Sequence, residues 1–203
     1  MNNIKRFNNW AGKYDRSLLQ RFLFQKTHDE LYKVIKSLLK DYARLLDIAC
    51  GTGIFANKVQ NYNCLMDIHG CDLSPKMIVQ ARRKNQAITW QTTPADSTPY
   101  KNDTFDIVTC TTAFHHFPNQ QKAIKEMYRV LKPGGKLVII DGNVSCLLGW
   151  IIYKIFVKLQ EQQIYHPSAK GMVNLFKKAG FINIRQRQFN PIIPSLLTIG
   201  VKK

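Results

Sequence analysis

The chain has 203 residues, 45% of them hydrophobic, enough for one full core but not for two large domains. Its five cysteines, Cys50, Cys64, Cys71, Cys110 and Cys146, are odd in number and lack Cys-x-x-Cys spacing. That argues against a disulfide scaffold or a zinc ribbon. The net charge of +17 favours anionic partners (nucleic acid, anionic membrane or acidic substrates) without choosing among them.

In chain order, Phe7 to Asp15 carries Trp10 and Tyr14 at i,i+4 spacing, and a helical pattern runs from Arg16 to Leu39. No charged n-region with an apolar core and a small-residue cleavage site opens the chain, so a cytoplasmic protein is expected. Leu45-Leu46-Asp47-Ile48 is an apolar strand ending at a glycine turn, Ala49-Cys50-Gly51-Thr52-Gly53, before a helix from Ile54. A buried parallel strand delivers its carboxyl end to a ligand in this way. Gly51 and Gly53 allow a ligand close approach to the main chain, and Asp47 could hold an ammonium group.

A second strand, Cys64 to Asp72, puts Asp72 roughly 20 residues past the turn, where a doubly wound fold presents a carboxylate to a ribose. Ser74-Pro75 reads as an N-cap followed by proline at the first helical position. Ala87 to Thr93 and Phe105 to Cys110 form the third and fourth strands, leading to Ala95-Asp96-Ser97 and to Thr111-Thr112-Ala113-Phe114-His115-His116-Phe117. Asn119 to Leu131 is an amphipathic helix closed by Pro133-Gly134-Gly135, and Lys136 to Ile140 is the fifth strand. Ser168 to Ala179 is a helix stopped by Gly180, and Phe181–Phe189 with 193–201 makes an antiparallel hairpin. The expected architecture is α/β and Rossmann-like: a doubly wound, mostly parallel seven-stranded sheet with an antiparallel edge hairpin.

The segments Leu46 to Gly53, Gly70 to Met77, Ala95-Asp96, Phe105 to Val108 and Leu131 to Leu137 together resemble class I S-adenosylmethionine-dependent methyltransferases. Within them the chain looks most like the small-molecule branch that includes the ubiquinone/menaquinone C-methyltransferases. A dinucleotide-binding dehydrogenase usually needs a third glycine in its turn, and Ile54-Phe55-Ala56 supplies none. The resemblance implies S-adenosyl-L-methionine as cofactor and a single methyltransferase domain over 1–203. Its parts would be an N-terminal helical lid at 1–42, the cofactor core at 43–142, a helical substrate insertion at 143–167, and a C-terminal helix and hairpin at 168–203. The roles it implies are Asp47 on the amino group directly or through water, Asp72 on the ribose, and Leu73 and Met77 around the adenine. Asp96 would accept from the adenine amino group, with Ala95 and Ser97 lending backbone groups. Ala49, Gly51 and Gly53 would form the turn, and Thr111 would line the methionine arm. The leading segment resembles the family's, in which an aromatic and the Tyr14-Asp15 pair cover the methionine end. Tyr14 would bond the carboxylate or form part of the substrate wall, although Trp10 and Tyr14 could equally just pack a helix.

His115 and His116 are the candidate general bases, needed if the acceptor is a phenol, enol or acidic carbon. A structural role for one of them stands beside that reading. No metal is expected, because adjacent histidines in an extended segment point apart and no third ligand is evident.

The basic excess lies mainly outside the core: residues 143–203 carry 9 basic residues against the single acid Glu161. Cys146 to Leu159 is apolar and aromatic with two lysines, and it is shorter than the ~20 residues a membrane span needs. It reads as a buried helix closing the site, or as an interfacial helix admitting a hydrophobic substrate at an anionic membrane. The expected acceptor is therefore a small or lipid-like molecule, quinone-type or otherwise hydrophobic. The alternatives are a nucleic-acid methyltransferase and a cofactor-binding protein without catalysis. Thr112-Ala113-Phe114-His115 stands where base-amino methylating enzymes carry an Asn/Asp-Pro-Pro-aromatic loop, which argues against specific nucleic-acid binding. The intact acids Asp47, Asp72 and Asp96 argue against lost catalysis.

Overall fold

The computed structural model describes residues 2–16, 25–38, 42–153, 164–190 and 193–203. Seven strands form one sheet: β1 (Arg44–Ile48), β2 (Asp67–Asp72), β3 (Thr89–Thr92), β4 (Phe105–Thr111), β5 (Leu131–Gly142), β6 (Phe181–Phe189) and β7 (Ser195–Lys202). The order is β3-β2-β1-β4-β5-β7-β6, with the first five parallel and β7 antiparallel to both β5 and β6. The order reverses between β1 and β4, and ligands of open α/β sheets bind at the carboxyl ends beside such a switch.

Helices cover both faces: α1 (Asn2–Trp10), α2 (Gln25–Leu38), α3 (Ile54–Tyr62), α4 (Pro75–Lys84), α5 (Gln120–Val130), the one-turn α6 (Leu147–Trp150) and α7 (Ala169–Ala179). The period of two sorts the central strands between two cores. Leu45, Ile107, Val138 and Ile140 pack with Leu31, Phe55 and Ile78 of α2, α3 and α4. Leu46, Ile48, Val108, Leu137 and Ile139 pack with Ile124 and Met127 of α5 and Phe176 of α7. Strands buried on both faces need continuous apolar runs, as their sequences have.

Local chemistry sets the helix ends. Ser74 accepts from Met77 N at the start of α4, with Pro75 beside it. Asn119 accepts from Lys122 N to cap α5, Ser168 from Gly171 N to cap α7, and Gly180 ends α7 at φ 102°.

Three readings differ from expectation. β2 begins at Asp67 because Asn63 Oδ1 accepts from Leu65 N, turning the chain and leaving Leu65 exposed. β5 starts at Leu131, already paired with Phe105, and passes through Pro133-Gly134-Gly135 with a register shift at which Gly134 takes φ 77°. The histidine pair is not extended: Phe114–His116 forms a 3-10 turn in which His116 N donates to Ala113 O. The Arg16–Leu39 helix is seen as α2 from Gln25, with 17–24 and 39 outside the described residues. Of the Cys146–Leu159 segment, α6 and the turn through Tyr153 are described, and 154–159 lies outside the described residues.

Candidate active site

A cleft of ≈ 1000 Å³, counted to its open mouth, lies at the carboxyl ends of β1, β2 and β4. Ten of the sequence-selected residues line it: Tyr14, Ala49, Gly51, Asp72, Leu73, Met77, Ala95, Asp96, Thr111 and His116. Each strand tip contributes next to a turn, so positions far apart in sequence converge because parallel strands all end on one edge.

Asp72 is the best-defined member. Its Oδ2 accepts from Gly51 N at 2.9 Å and its Oδ1 from Ser74 N at 2.8 Å. A carboxylate offers about four acceptor sites, so two remain for hydroxyls in the cleft. Burial raises its pKa above the ordinary carboxylate range, and the two N–H bonds oppose that rise. Gly51 is held at φ 55°, and a Cβ there would stand 3.7 Å from the Tyr14 ring. The bare backbone and half-used carboxylate fit a ribose and an amino-acid tail, so this donor set suits the expected cofactor. Ala49 at φ 57° and Thr112 at φ 48° hold left-handed conformations at the tips of β1 and β4. Non-glycine residues rarely do so except where surrounding structure enforces it, often beside ligands.

Four selected residues do not line the cleft. Asp47 is buried, accepts from Thr109 Oγ1 at 2.8 Å, and lies on the face of β1 that also carries Leu45. Burial pushes its carboxyl up to about 7, with the Thr109 bond working against the rise and Asp72 adding to it. Gly53 serves packing: a Cβ there would come within 2.4 Å of the Trp90 ring. Ser97 closes the turn after β3, its carbonyl accepting from Thr93 Oγ1. His115 turns away toward β5, where its Nδ1 meets Asp141 Oδ1 at 2.6 Å.

Asp141 is the largest feature that sequence reasoning missed. It sits at the end of β5, 3% exposed, and also accepts from the backbone N–H of His115 and of Gly142. Burial alone would raise its pKa, but the His115 imidazole, their hydrogen bond and His166 outweigh it and hold the carboxyl well below the ordinary range. His166 stacks on His115 at 4.2 Å, with Nδ1 3.6 Å from Asp141 Oδ1. The fold thus brings a carboxylate and a second imidazole to His115, correcting the reading that no third ligand stands near the histidine pair. His115 Nδ1 and Asp141 Oδ1 are in direct hydrogen-bond contact, and one ligand atom from each of His115, Asp141 and His166 lies within 4.8 Å of the others. The distances from Asp141 to His115 and His166 depend on the fold, and no local motif encodes them.

Ile4 and Phe7 of α1 and Phe117 also line the cleft, and the Phe7 ring meets His116 edge-on at 5.1 Å. Phe7 and Phe117 lie in segments singled out from the sequence, Phe7 to Asp15 and Thr111 to Phe117, whereas Ile4 does not. Asp96 lies 3.2 Å from Lys122 Nζ at the cleft rim.

The methyltransferase domain family matches residues 46–139. Over 97% of its length the chain is 27% identical to the ubiquinone/menaquinone biosynthesis C-methyltransferase UbiE of Desulfotalea psychrophila, covering 87% of that protein. Among solved structures it resembles a chain of the complex between the Haloferax volcanii Trm112 methyltransferase activator and a methyltransferase, with TM-score 0.82, 18% identity and 96% of each chain covered. It also resembles a SAM-dependent methyltransferase from Thermotoga maritima, with TM-score 0.77, 24% identity and 100% of each chain covered. The domain match, the UbiE-like relatives and the fold together support a class I S-adenosylmethionine-dependent methyltransferase, an enzyme that uses S-adenosyl-L-methionine.

Proposed function

We propose that this enzyme methylates a small hydrophobic acceptor of the quinol type. The supporting observation is the lining of the cleft, to which Ile4, Phe7 and Phe117 contribute apolar surface. A planar, weakly polar acceptor gains from burial against such a surface, while a nucleic acid would need charged positioning contacts there. The similarity to UbiE points the same way.

The cofactor supplies an electrophilic sulfonium methyl, so the protein's work is alignment and exclusion of water. In this reading Asp72 holds the ribose hydroxyls, Asp96 the adenine amino group, and Leu73 and Met77 flank the ring. Gly51, Ala49 and Thr111 border the amino-acid arm, with Tyr14 above them, and Asp47 acts on the amino group through water or through the turn rather than by direct contact. Gly53 and Ser97 shape the turns, and Ala95 offers backbone at the adenine. His116 on the cleft wall takes the proton from an acidic acceptor atom. His115, anchored by Asp141, holds the wall segment that carries it.

We further propose that the enzyme works from the cytoplasm and touches anionic membrane peripherally. No helix among the described residues is long and apolar enough to cross a membrane. Leu147, Leu148, Trp150 and Tyr165 nevertheless stay 45–77% exposed in a region rich in basic charge. Sedimentation with phosphatidylglycerol vesicles, but not phosphatidylcholine vesicles, is the expected result, and equal recovery with both would contradict the charge argument.

The acceptor is tested by incubating purified enzyme with methyl-labelled S-adenosylmethionine and extracted quinones, reduced to quinols, with mass spectrometry of the products. Label in a quinol supports the proposal. Label only in added RNA, or in no fraction, would defeat it.

A further inference from the structure

Ile4, Phe7 and Tyr14 line the cleft, and the N-terminal segment that carries them is fastened on both banks. On the β2 side, Asn8 Oδ1 accepts from Ser74 Oγ at 2.6 Å and from Lys76 N at 3.4 Å, tying α1 to the start of α4. On the β1 side, Asp15 follows Tyr14 in a one-turn 3-10 segment (Tyr14–Arg16). Asp15 Oδ1 accepts from Thr52 Oγ1 at 2.5 Å, and Oδ2 pairs with the Lys84 ammonium. Lys84 Nζ also donates to Thr52 O at 2.9 Å, closing a three-membered network. Thr52 is 1% exposed and sits between the two glycines of the turn. The network therefore joins the N-terminal segment, the glycine turn and the end of α4 at one point.

We propose that Asp15 is a positioning residue for the cofactor: with Lys84 it latches Tyr14 over the glycine turn, and cofactor or product leaves only when this latch opens. The proposal rests on the cleft being the cofactor site. Asp15 itself does not line the cleft, whereas its neighbour Tyr14 does. The Asp15 and Lys84 side chains keep 38% and 31% of their surface exposed. Solvent screens a pair this open, so it contributes modestly and can break often. A fully buried pair would lock the site. Asn8 provides the hinge-side anchor that keeps the segment near while the latch is open. The Trp10 indole meets the Tyr14 ring edge-on at 4.7 Å, placing an intrinsic fluorophore beside the moving part.

The test is stopped-flow fluorescence with S-adenosylhomocysteine, followed through Trp10 or by displacement, at low and high salt. In wild type the dissociation rate should rise with ionic strength, because the latch is an exposed ion pair. Asp15→Ala should raise the low-salt dissociation rate about tenfold and abolish its salt dependence, with association changed less than about twofold. Lys84→Met should do the same, which covers the case of Asp15→Ala failing to fold. A general loss of structure would not erase salt dependence selectively, so unfolding in urea near the wild-type midpoint completes the expected pattern. Wild-type protein that binds but gives variants with unchanged dissociation and unchanged salt dependence would overturn the latch alone. Failure of wild type to bind S-adenosylhomocysteine would overturn the cofactor assignment of the cleft and the latch with it.

Discussion

The backbone N–H of Gly51 donates to Asp72 Oδ2 at 2.9 Å, so the turn after β1 is pinned to the tip of β2. The residue proposed to hold the ribose also sets the shape of the glycine turn. Removing it deprives Gly51 N and Ser74 N of their acceptor together. Asp72→Ala is expected to cost about 1–2 kcal/mol in urea unfolding, and Asp72→Asn, which keeps one acceptor oxygen, about half that. Equal stability of all three proteins would show that these bonds do not hold the turn.

Trp90 lies 3% exposed beneath both Gly53 and Gly70. A Cβ on Gly70 would stand 2.4 Å from the indole and 3.1 Å from Cys50 Sγ. The ring is also held at its edge, where Nε1 donates to Asn85 O. Gly70→Ala should cost about 2–3 kcal/mol by overpacking, and Trp90→Leu in the same chain should recover part of it. Independent, additive losses in a double-mutant cycle would contradict this contact.

Asp47 yields a pH prediction. Its folded-state value of about 7 lies above the ordinary 3.8, so the folded protein holds this proton more tightly than the unfolded chain. Stability from this group is fully present below about pH 4 and is lost as pH rises through about 7. Asp47→Asn should therefore match wild type at pH 4 and exceed it at pH 8 by an amount on the order of 2–4 kcal/mol. Chemical denaturation at the two pH values measures the difference. A constant offset between them would mean that Asp47 ionises freely.

Asp141 has the opposite sign. Its carboxyl is held below the ordinary range by His115 and His166 despite burial, so its stabilisation is present at neutral pH and fades as pH falls below the ordinary carboxylate value. Asp141→Asn should destabilise the protein by about 2–4 kcal/mol at pH 7, and by less at pH 3. Nitrogen-detected NMR should find the His115 proton on Nδ1, facing Asp141, and a proton held only on Nε2 would refute this arrangement.

The strand tips that carry the proposed cofactor residues are readable in the sequence because each signal there is local. An apolar run names β1, Gly51 marks a turn with positive φ, and Asp72 ends the next strand. The side-chain direction of Asp47 was in principle readable too, since the period of two puts it with Leu45 inside the sheet's α2–α3–α4 face. Asp141 and His166 could not be linked to His115 in advance. They come from β5 and from the segment before α7, and only the sheet order brings them together. The same holds for Ile4 and Phe7, whose place in the cleft depends on Asn8 meeting Ser74, 66 residues away. The histidine turn was misread as extended because Ala113 O accepts from His116 N, a bond that no residue type announces.

Calorimetric titration of S-adenosylhomocysteine into wild type and Asp72→Ala tests the account most directly. We expect micromolar binding to wild type and a loss of at least about thirtyfold in the variant, the cost of two charge-assisted hydroxyl contacts. Equal affinity in the two proteins would place the nucleoside somewhere other than this cleft.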